Sequence, residues 1–250
     1  MSLRDLHVPG RPVVLPNVWD AGSARLFAEA GFAALATSSS AVALSLGYAD
    51  HEETPADEMF AAIGRITRAA GVPVTADIES GYGLPPAEVA ERLLAAGAAG
   101  CNLEDSDPKT GVLRDPAECA EQLAAVRAAA GPDLVINARV DSFVVVARST
   151  GSLDAIAEVP VADAVERARL YLEAGADCVY PIIAPRAALA EFTKAVGAPV
   201  NALYMPGGPS IQELTALGVA RITFGGGLYN RTADFVRSLA AELGSQNPDA

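Results

Sequence analysis

The chain has 250 residues, of which 51% are hydrophobic, and its formal net charge is −13. This length suits one large α/β domain and supplies enough apolar residues for a sizeable core. Nucleic acids and anionic membranes attract basic surfaces, so this acidic chain is predicted to bind neither.

Short apolar segments alternate with longer amphipathic segments along the whole chain. In order, the predicted strands cover 13–17, 34–39, 73–78, 100–104, 134–139, 178–183, 199–204 and 221–225. The predicted helices that follow them cover 21–30, 55–70, 86–96, 116–130, 162–174, 186–196, 210–217 and 231–243. Strands that are apolar throughout are typical of buried parallel sheets. Eight strand–helix units predict an α/β fold of the (β/α)8 TIM-barrel type, with residues 1–250 forming a single domain.

A doubly wound open sheet is the alternative, but the glycine fingerprint of its dinucleotide-binding forms does not follow the first strand. Glycines that end helices support the predicted helix boundaries. They are Gly31, Gly71, Gly97, Gly175 and Gly218. The connection over 140–160 is unusually long, and we allow for a short helix within it.

The three cysteines, Cys101, Cys119 and Cys178, are widely spaced and form no CxxC pair. This spacing argues against a disulfide framework or structural zinc, and it favours a reducing cytoplasm. The sequence has no apolar stretch of about 18 residues, and its first residues lack an apolar signal core. We therefore expect a cytoplasmic protein without a membrane partner.

Acidic side chains gather where the third and fourth predicted strands end. Asp77 and Glu79 stand two residues apart, which puts both on one face of an extended strand, and Glu104 ends the next strand. The active site of a (β/α)8 barrel lies at this end of the strands. Three neighbouring carboxylates require a cation, and oxygen ligands suit Mg²⁺, with Mn²⁺ as the alternative. We expect no histidine nearby, since His7 and His51 lie elsewhere in the sequence, and this disfavours zinc.

Arg139 ends the fifth predicted strand and offers parallel donors to a carboxylate or phosphonate. A metal and an arginine together suit an anionic 2-oxo acid, because the metal can hold the carbonyl and stabilise an enolate. Two alternatives remain open. The acids, particularly Asp105 and Asp141, could cap helices or face water, and the serines at 38–40 could be turn residues or donors to a substrate anion.

Several motifs occur in the order and spacing of one known family. They are SSSAVALSLGYAD from Ser38, ADIESGYG from Ala76, NLEDSDPKTG from Asn102, NARVDSF from Asn137 and VNALYMPGGPS from Val200. Through these motifs the chain resembles the isocitrate lyase/phosphoenolpyruvate mutase superfamily along nearly its whole length. The resemblance implies a Mg²⁺-dependent barrel that makes or breaks C–C or P–C bonds next to a 2-oxo acid. We also expect a homo-oligomer.

The resemblance implies roles for individual residues. Asp77 and Glu79 would hold Mg²⁺, largely through water, with Glu104 nearby as part of the metal site. The residues matching substrate-binding positions are Ser38, Ser39, Ser40, Arg139 and Asn201. The predicted catalytic residues are Asp50 near the metal, Lys109 in a gating loop after the fourth strand, and Arg139.

The gating loop and the sixth strand depart from the better known members of that family. The lyases carry a cysteine in the loop that acts as an acid, whereas Val112 stands near that place here. The mutase loop continues with an asparagine and a serine, but Gly111 follows Thr110 in this chain. Neither the mutase histidine nor the lyase glutamate of the sixth strand has a match in Tyr180-Pro181-Ile182. These departures indicate a divergent branch, in which decarboxylases, acyl-hydrolases and lyases of 2-oxo or substituted malic acids are found.

The expected activity is a Mg²⁺-dependent C–C bond cleavage or decarboxylation of a small 2-oxo or 2-hydroxy dicarboxylate, through a metal-stabilised enolate. Arg139 would anchor the substrate carboxylate, and Asp50 and Tyr48 are candidate acids or bases. P–C bond chemistry of the phosphonopyruvate mutase or hydrolase type is the first alternative. A non-catalytic binder of 2-oxo acids is the second. A sugar-phosphate enzyme, suggested by glycine-rich turns after the last two strands, would leave the carboxylates unexplained.

Overall fold

The computed structural model describes residues 2–246, in which short strands alternate with helices. The strands are β1 (Val13–Val14), β2 (Asn17–Val18), β3 (Leu35–Thr37), β4 (Val74–Asp77), β5 (Gly100–Leu103), β6 (Val135–Arg139), β7 (Cys178–Tyr180), β8 (Asn201–Leu203) and β9 (Arg221–Thr223). The helices are α1 (Ala21–Glu29), α2 (Ser39–Leu46), α3 (Ala56–Ala70), α4 (Pro86–Ala95), α5 (Pro116–Ala130), α6 (Ser142–Thr150), α7 (Val161–Glu173), α8 (Arg186–Val196), α9 (Ile211–Ala216) and α10 (Gly227–Ser245). Short 3-10 helices cover Arg4–Leu6 and Asp154–Glu158.

The strands form two parallel sheets that meet at both of their edges. Hydrogen-bonded neighbours run β2-β3-β4-β5-β6-β7 in one sheet and β1-β9-β8 in the other. At one seam, β1 and β2 are consecutive pieces of the segment 13–18, and the Leu15 amide between them donates to the Ile222 carbonyl. At the other seam, a parallel bridge joins Val179 to Val200. The strands thus follow one another round a ring in chain order, and the predicted (β/α)8 barrel is confirmed.

The strand register brings the polar residues at the carboxyl ends of the strands together. Asp77 lies opposite Asn102 on the next strand, and Arg139 lies opposite Tyr180. Because all these pairings are parallel, each loop that follows a strand emerges at the same end of the barrel. The site described below occupies that end.

The opposite end of the barrel is closed by packing of apolar side chains. Leu3 clusters there with Leu15, Ala36 and Val135. Gly100 is needed beside this cluster, because a Cβ at that position would lie 2.6 Å from the Val135 carbonyl oxygen. The larger core lies between the strands and the surrounding helices, so the barrel is filled at one end and polar at the other.

Two helices were not among the predicted elements. The strand expected over 34–39 ends at Thr37, and Ser38 caps α2 by accepting a hydrogen bond from the Ala41 amide at 3.4 Å. The long connection over 140–160 holds both α6 and the second 3-10 helix, which confirms the expectation of structure within it. Both new helices begin directly after a barrel strand, where a run of apolar or β-branched residues gives no clear helical periodicity.

α10 differs from the other helices because none of its residues is buried. Phe235, Val236, Leu239 and Leu243 are all exposed large apolar residues on it. Within the described part of the chain, no helix combines the length and the apolar character needed to cross a membrane.

Candidate active site

Asp77 is held at the end of β4 by groups that follow β3. Its Oδ2 accepts hydrogen bonds from the Ser39 amide at 3.2 Å and the Ser39 hydroxyl at 3.1 Å. Its own amide donates to the Thr37 hydroxyl at 2.8 Å. The other carboxylate oxygen, Oδ1, is enclosed and accepts no hydrogen bond within residues 2–246. Asp77 therefore has one fixed oxygen and one buried oxygen that is available to a ligand.

Glu79 also faces the barrel mouth, but not for the reason that its spacing suggested. The strand ends at Asp77, and Glu79 has a left-handed backbone with φ of 52°. Its Oε1 accepts from the Tyr82 hydroxyl and its Oε2 from the Glu52 amide, both at 2.9 Å. The argument from strand alternation was therefore wrong, although the side chain is buried in the expected place.

Glu104 and Arg139 form an ion pair across β5 and β6. Arg139 Nη1 donates to Glu104 Oε1 at 2.6 Å, and its Nε donates to Asp141 Oδ1 at 2.7 Å. The guanidinium carbon also lies 5.7 Å from the centre of the Tyr180 ring. The arginine is thus anchored on two sides and stacked on an aromatic face, which fixes the direction of its donors.

A second layer of buried polar groups supports Asp141. Its amide donates to Asp105 Oδ1 at 2.7 Å. Asp105 Oδ2 in turn accepts from the Tyr171 hydroxyl at 2.7 Å and from Arg167 Nη1 at 3.1 Å. Arg167 and Tyr171 belong to α7, outside the barrel. Asp141 stands at the N-cap position of α6, but its side chain makes no capping hydrogen bond. Exposure to water describes neither Asp105 nor Asp141, which are 2% and 0% exposed.

Burial and mutual repulsion raise the pKa values of the site carboxyls. The pKa of Glu79 rises to about 8, mainly because the group is buried and also because Asp50 and Asp77 lie nearby. Burial likewise raises the pKa values of Asp77 and Glu104, although Arg139 acts against both shifts. A site that keeps these groups ionised needs additional positive charge. The enclosed, unpaired Asp77 Oδ1 and the carboxylate-rich donor set fit a divalent cation.

A grouping of possible metal-ligand atoms lies at the rim of this site. One atom each from Asp50, His51 and Glu79 lie within 4.8 Å of one another. The expectation that no histidine comes near the carboxylates was therefore wrong. The cause is the connection between α2 and α3, which turns back so that positions 50–52 meet the loop after β4.

The remaining residues predicted to bind substrate lie on two parts of the ring, after β3 and on β8. Ser38 and Ser39 are buried at the start of α2, and Ser40 is half-buried beside them. Asn201 is fully buried at the start of β8, where its Oδ1 accepts from the Thr223 hydroxyl at 3.2 Å. The serines thus follow β3 at the end of the barrel that carries Arg139, whereas Asn201 begins its strand and bonds to Thr223, the last residue of β9.

Lys109 lies outside the carboxylate cluster. Its side chain is exposed, and its amide donates to Asp107 Oδ1 at 3.0 Å within a tight turn that also includes Thr110. Tyr48, a candidate acid or base, donates its hydroxyl to Glu58 Oε1 at 2.7 Å. In this conformation neither residue contacts Asp77, Glu79 or Arg139 through a hydrogen bond.

Sequence reasoning missed several residues that shape the site. The Glu52 amide donates to Glu79, and the Glu52 carboxylate accepts from the Ser80 hydroxyl. The Tyr82 hydroxyl also donates to Glu79. Asn17, on β2, donates to the Thr37 carbonyl and accepts from the Phe224 amide, both at 2.7 Å. The tyrosine within ESGYG was the available signal for Tyr82. No local pattern pointed to Glu52, because its partners lie 27 to 30 positions away.

Comparison with known proteins places this site in a family. The family model for phosphoenolpyruvate phosphomutase matches residues 3–244. The 2-methylisocitrate lyase of Escherichia coli K12 is 30% identical over 271 residues, which cover 96% of this chain and 87% of that protein.

Two solved structures share the fold closely. A candidate phosphonomutase of Burkholderia cenocepacia J2315 superimposes with a TM-score of 0.87 and 43% identity, covering 96% of each chain. A 2,3-dimethylmalate lyase superimposes with a TM-score of 0.81 and 28% identity, covering 97% of this chain and 86% of that one. The chain therefore belongs to the phosphoenolpyruvate phosphomutase family and is an enzyme of the isocitrate lyase/phosphoenolpyruvate mutase superfamily, which contains both lyases and mutases.

Proposed function

We propose that this enzyme cleaves a C–C bond, or removes a carboxyl group, in a small 2-oxo or 2-hydroxy dicarboxylate, with Mg²⁺ as its cofactor and Mn²⁺ as a substitute. The observation that carries the proposal is the pairing of a buried arginine with buried carboxylates at one end of the barrel. Arg139 suits the carboxylate of such a substrate, and the acidic cluster suits the cation. The similarity to 2-methylisocitrate lyase and 2,3-dimethylmalate lyase supports the same substrate class.

The residues proposed to hold the cation are Asp77 and Glu79, with Glu104 and Asp50 close by. When bound, the cation supplies Lewis acidity at a carbonyl oxygen and favours the enolate form of the product. Arg139 orients the substrate carboxylate, because two acidic partners hold its guanidinium in place.

The groups after β3 and on β8 would complete the substrate site. The hydroxyl and amide groups at the start of α2, from Ser38, Ser39 and Ser40, can donate to a substrate anion. Asn201 has a buried side-chain nitrogen that donates to no described residue, so it too can donate to a substrate. Asp50 remains the proposed acid or base at the rim. The loop that carries Lys109 would have to close over the site to bring its amine to the substrate and exclude water.

Product assays on oxaloacetate and 2-methylisocitrate test this function. We expect turnover of one of them with Mg²⁺, loss of turnover in EDTA, and recovery on adding excess Mg²⁺. Asp77→Asn should lower kcat by about a hundredfold or more, since a metal ligand is lost. Asp57→Asn is the matched control, because the Asp57 side chain lies on the surface. Equal turnover with Mg²⁺ and with EDTA would contradict the proposal.

P–C bond chemistry on a phosphonopyruvate-type substrate is the second candidate. The 43% identity to a candidate phosphonomutase favours it. A phosphonate carries more negative charge than a carboxylate, and Arg139 already neutralises two acids, so we rank it below C–C cleavage. Phosphorus NMR of a phosphonopyruvate incubation distinguishes the two activities.

Thermal stabilisation by oxalate and Mg²⁺, without turnover of any 2-oxo acid, would instead favour a non-catalytic binder.

We further propose that the chain is a single barrel domain that works as a homo-oligomer in a reducing cytoplasm. The exposed apolar residues of α10 support self-association. The three buried, unbonded cysteines support a reducing compartment. Sedimentation velocity of the native chain against Phe235→Asp and Leu239→Asp tests the oligomer, and a native chain that sediments as a monomer would contradict it.

A further inference from the structure

His51 stands at the mouth of the candidate active site, on the connection between α2 and α3. One of its ring nitrogens lies within 4.8 Å of carboxylate oxygens of Asp50 and Glu79. Its side chain is exposed, so the ring can turn towards those oxygens without repacking the core. The family resemblance assigns no role to this position.

The backbone holds this histidine in place. His51 and Glu52 both have left-handed backbone angles, with φ of 72° and 58°, which residues with a side chain rarely adopt. Glu52 stabilises this conformation through the loop after β4. Its amide donates to Glu79 at 2.9 Å, and its Oε1 accepts from the Ser80 amide, the Ser80 hydroxyl and the Tyr82 amide at 3.2, 2.7 and 2.7 Å.

A separate observation indicates that a ligand belongs beside this grouping. Asp77 is 9% exposed, yet its Oδ1 is enclosed and accepts no hydrogen bond within residues 2–246. A buried carboxylate oxygen without a donor is costly. Asp77 ends β4 only two residues before Glu79, whose carboxylate belongs to the histidine grouping, so the unpaired oxygen and the grouping lie at the same end of that strand.

Building on the cation site of the proposed function, we propose that His51 is a direct nitrogen ligand of the divalent cation. A site made only of oxygen ligands suits Mg²⁺, whereas imidazole suits later transition metals such as Co²⁺. His51 therefore shifts the ion preference of this chain away from Mg²⁺ and towards metals that accept nitrogen.

Pulsed EPR on the Mn²⁺-loaded chain tests this assignment directly. Coupling between the metal electrons and a coordinated ring nitrogen should be visible in the native protein and absent in His51→Gln. His7→Gln is the matched control, because His7 is the other histidine of the chain. Its ring bonds to the Leu3 carbonyl at 2.8 Å, away from the site. That variant should retain the nitrogen coupling.

Calorimetric titrations with Co²⁺ and with Mg²⁺ give the second readout. In His51→Gln, the Kd for Co²⁺ should rise by about tenfold or more, while the Kd for Mg²⁺ changes by less. Equal losses for the two ions would overturn the proposal, because a general structural defect weakens both. A native spectrum without nitrogen coupling, coupling that survives in His51→Gln, or failure to bind Mn²⁺ would overturn it as well.

Turnover measured on the same samples separates this inference from the proposed function. Mg²⁺-dependent turnover without nitrogen coupling would leave the function standing and remove the role of His51. Nitrogen coupling without turnover of any 2-oxo acid would leave the His51 assignment standing and remove the function.

Discussion

At the scale of single residues, Arg139 shows how a buried cation is kept ready for an anionic substrate. Burial alone would lower the pKa of its guanidinium, but Asp141 and Glu104 more than offset that effect and raise it. The arginine therefore stays charged, and its two carboxylate partners fix its orientation. A substrate carboxylate would meet donors that are already placed, with little loss of side-chain entropy.

Replacing Arg139 by lysine should impair substrate binding while keeping the positive charge. Lysine cannot reach Glu104, Asp141 and a substrate at once, because it lacks the planar fork of donors. Loss of one charge-assisted hydrogen bond of about 1.5 to 3 kcal/mol predicts a fall in kcat/KM, and in oxalate affinity, of roughly tenfold to a hundredfold. Steady-state kinetics and calorimetry with oxalate measure the two quantities.

Arg92→Lys is the control for this substitution. Arg92 also pairs with two carboxylates, Asp57 and Glu88, but on the outer surface. Its replacement should leave both kcat/KM and oxalate affinity unchanged. Similar losses in the two variants would argue against a binding role for Arg139.

At the scale of elements, a polar chain connects α7 to the site through β5 and β6. Arg167 and Tyr171 hold Asp105, Asp105 holds the Asp141 amide, and Asp141 holds Arg139. The position of an outer helix is thereby transmitted to the guanidinium. Asp105 and its α7 partners touch no predicted ligand of the cation by hydrogen bonds and act by positioning.

Asp105→Asn should raise KM more than it lowers kcat. The amide nitrogen cannot accept the bonds that the carboxylate accepts, so Arg167 or the Asp141 amide loses a partner at a cost of about 1 to 3 kcal/mol. The resulting shift of Asp141 and Arg139 weakens substrate binding. Urea unfolding and steady-state kinetics separate the stability loss from the change in KM.

Asp177→Asn provides a matched comparison at the other end of the barrel. Asp177 likewise accepts from a strand amide, that of Ile136 at 2.8 Å, and pairs with Arg127 and Arg4. Its replacement should cost similar stability without changing KM. An equal rise in KM for both variants would show that the effect of Asp105 is general destabilisation.

Helices and strands with a clear hydrophobic period, or with characteristic residues at their ends, could be predicted from the sequence. Irregular backbone could not. Asp115 and Ser210 cap α5 and α9, and such caps are local signals because they join residues two or three positions apart. α2 begins in a run of serines that equally suits a turn. The placement of Glu79 and His51 depends on left-handed backbone angles, and those angles are stabilised by contacts with Glu52 and Tyr82 that no local pattern encodes.

At the scale of the whole molecule, the barrel carries an excess of negative charge. Its closed end nevertheless holds an uncharged histidine, His7. His7 is 8% exposed, and burial together with the nearby Arg221 lowers its pKa to about 4. The unfolded chain takes up a proton at this side chain near pH 6.5, whereas the folded chain takes it up only near pH 4. Folding stability is therefore lost as the pH falls from about 6.5 to 4, with no further loss from this group below that range.

His7→Gln should flatten this part of the stability profile. The lowered pKa of His7 corresponds to about 3 kcal/mol in the free energy of unfolding. The native chain loses this stability between neutral pH and pH 4, and the variant does not. Urea unfolding at pH 7 and at pH 4 measures the difference between the two proteins, which removes the contribution of shared carboxyls. Parallel profiles for native and His7→Gln chains would contradict the assignment.

The placement of Asp50 and His51 on a connection, rather than on a strand, has an evolutionary consequence. An exposed side chain leaves no cavity when it is replaced, so changes at position 51 cost the barrel little. The proposed ion preference can then change in evolution independently of folding stability, while Asp77 and Arg139, which lie on strands, stay under the constraints of a packed interior.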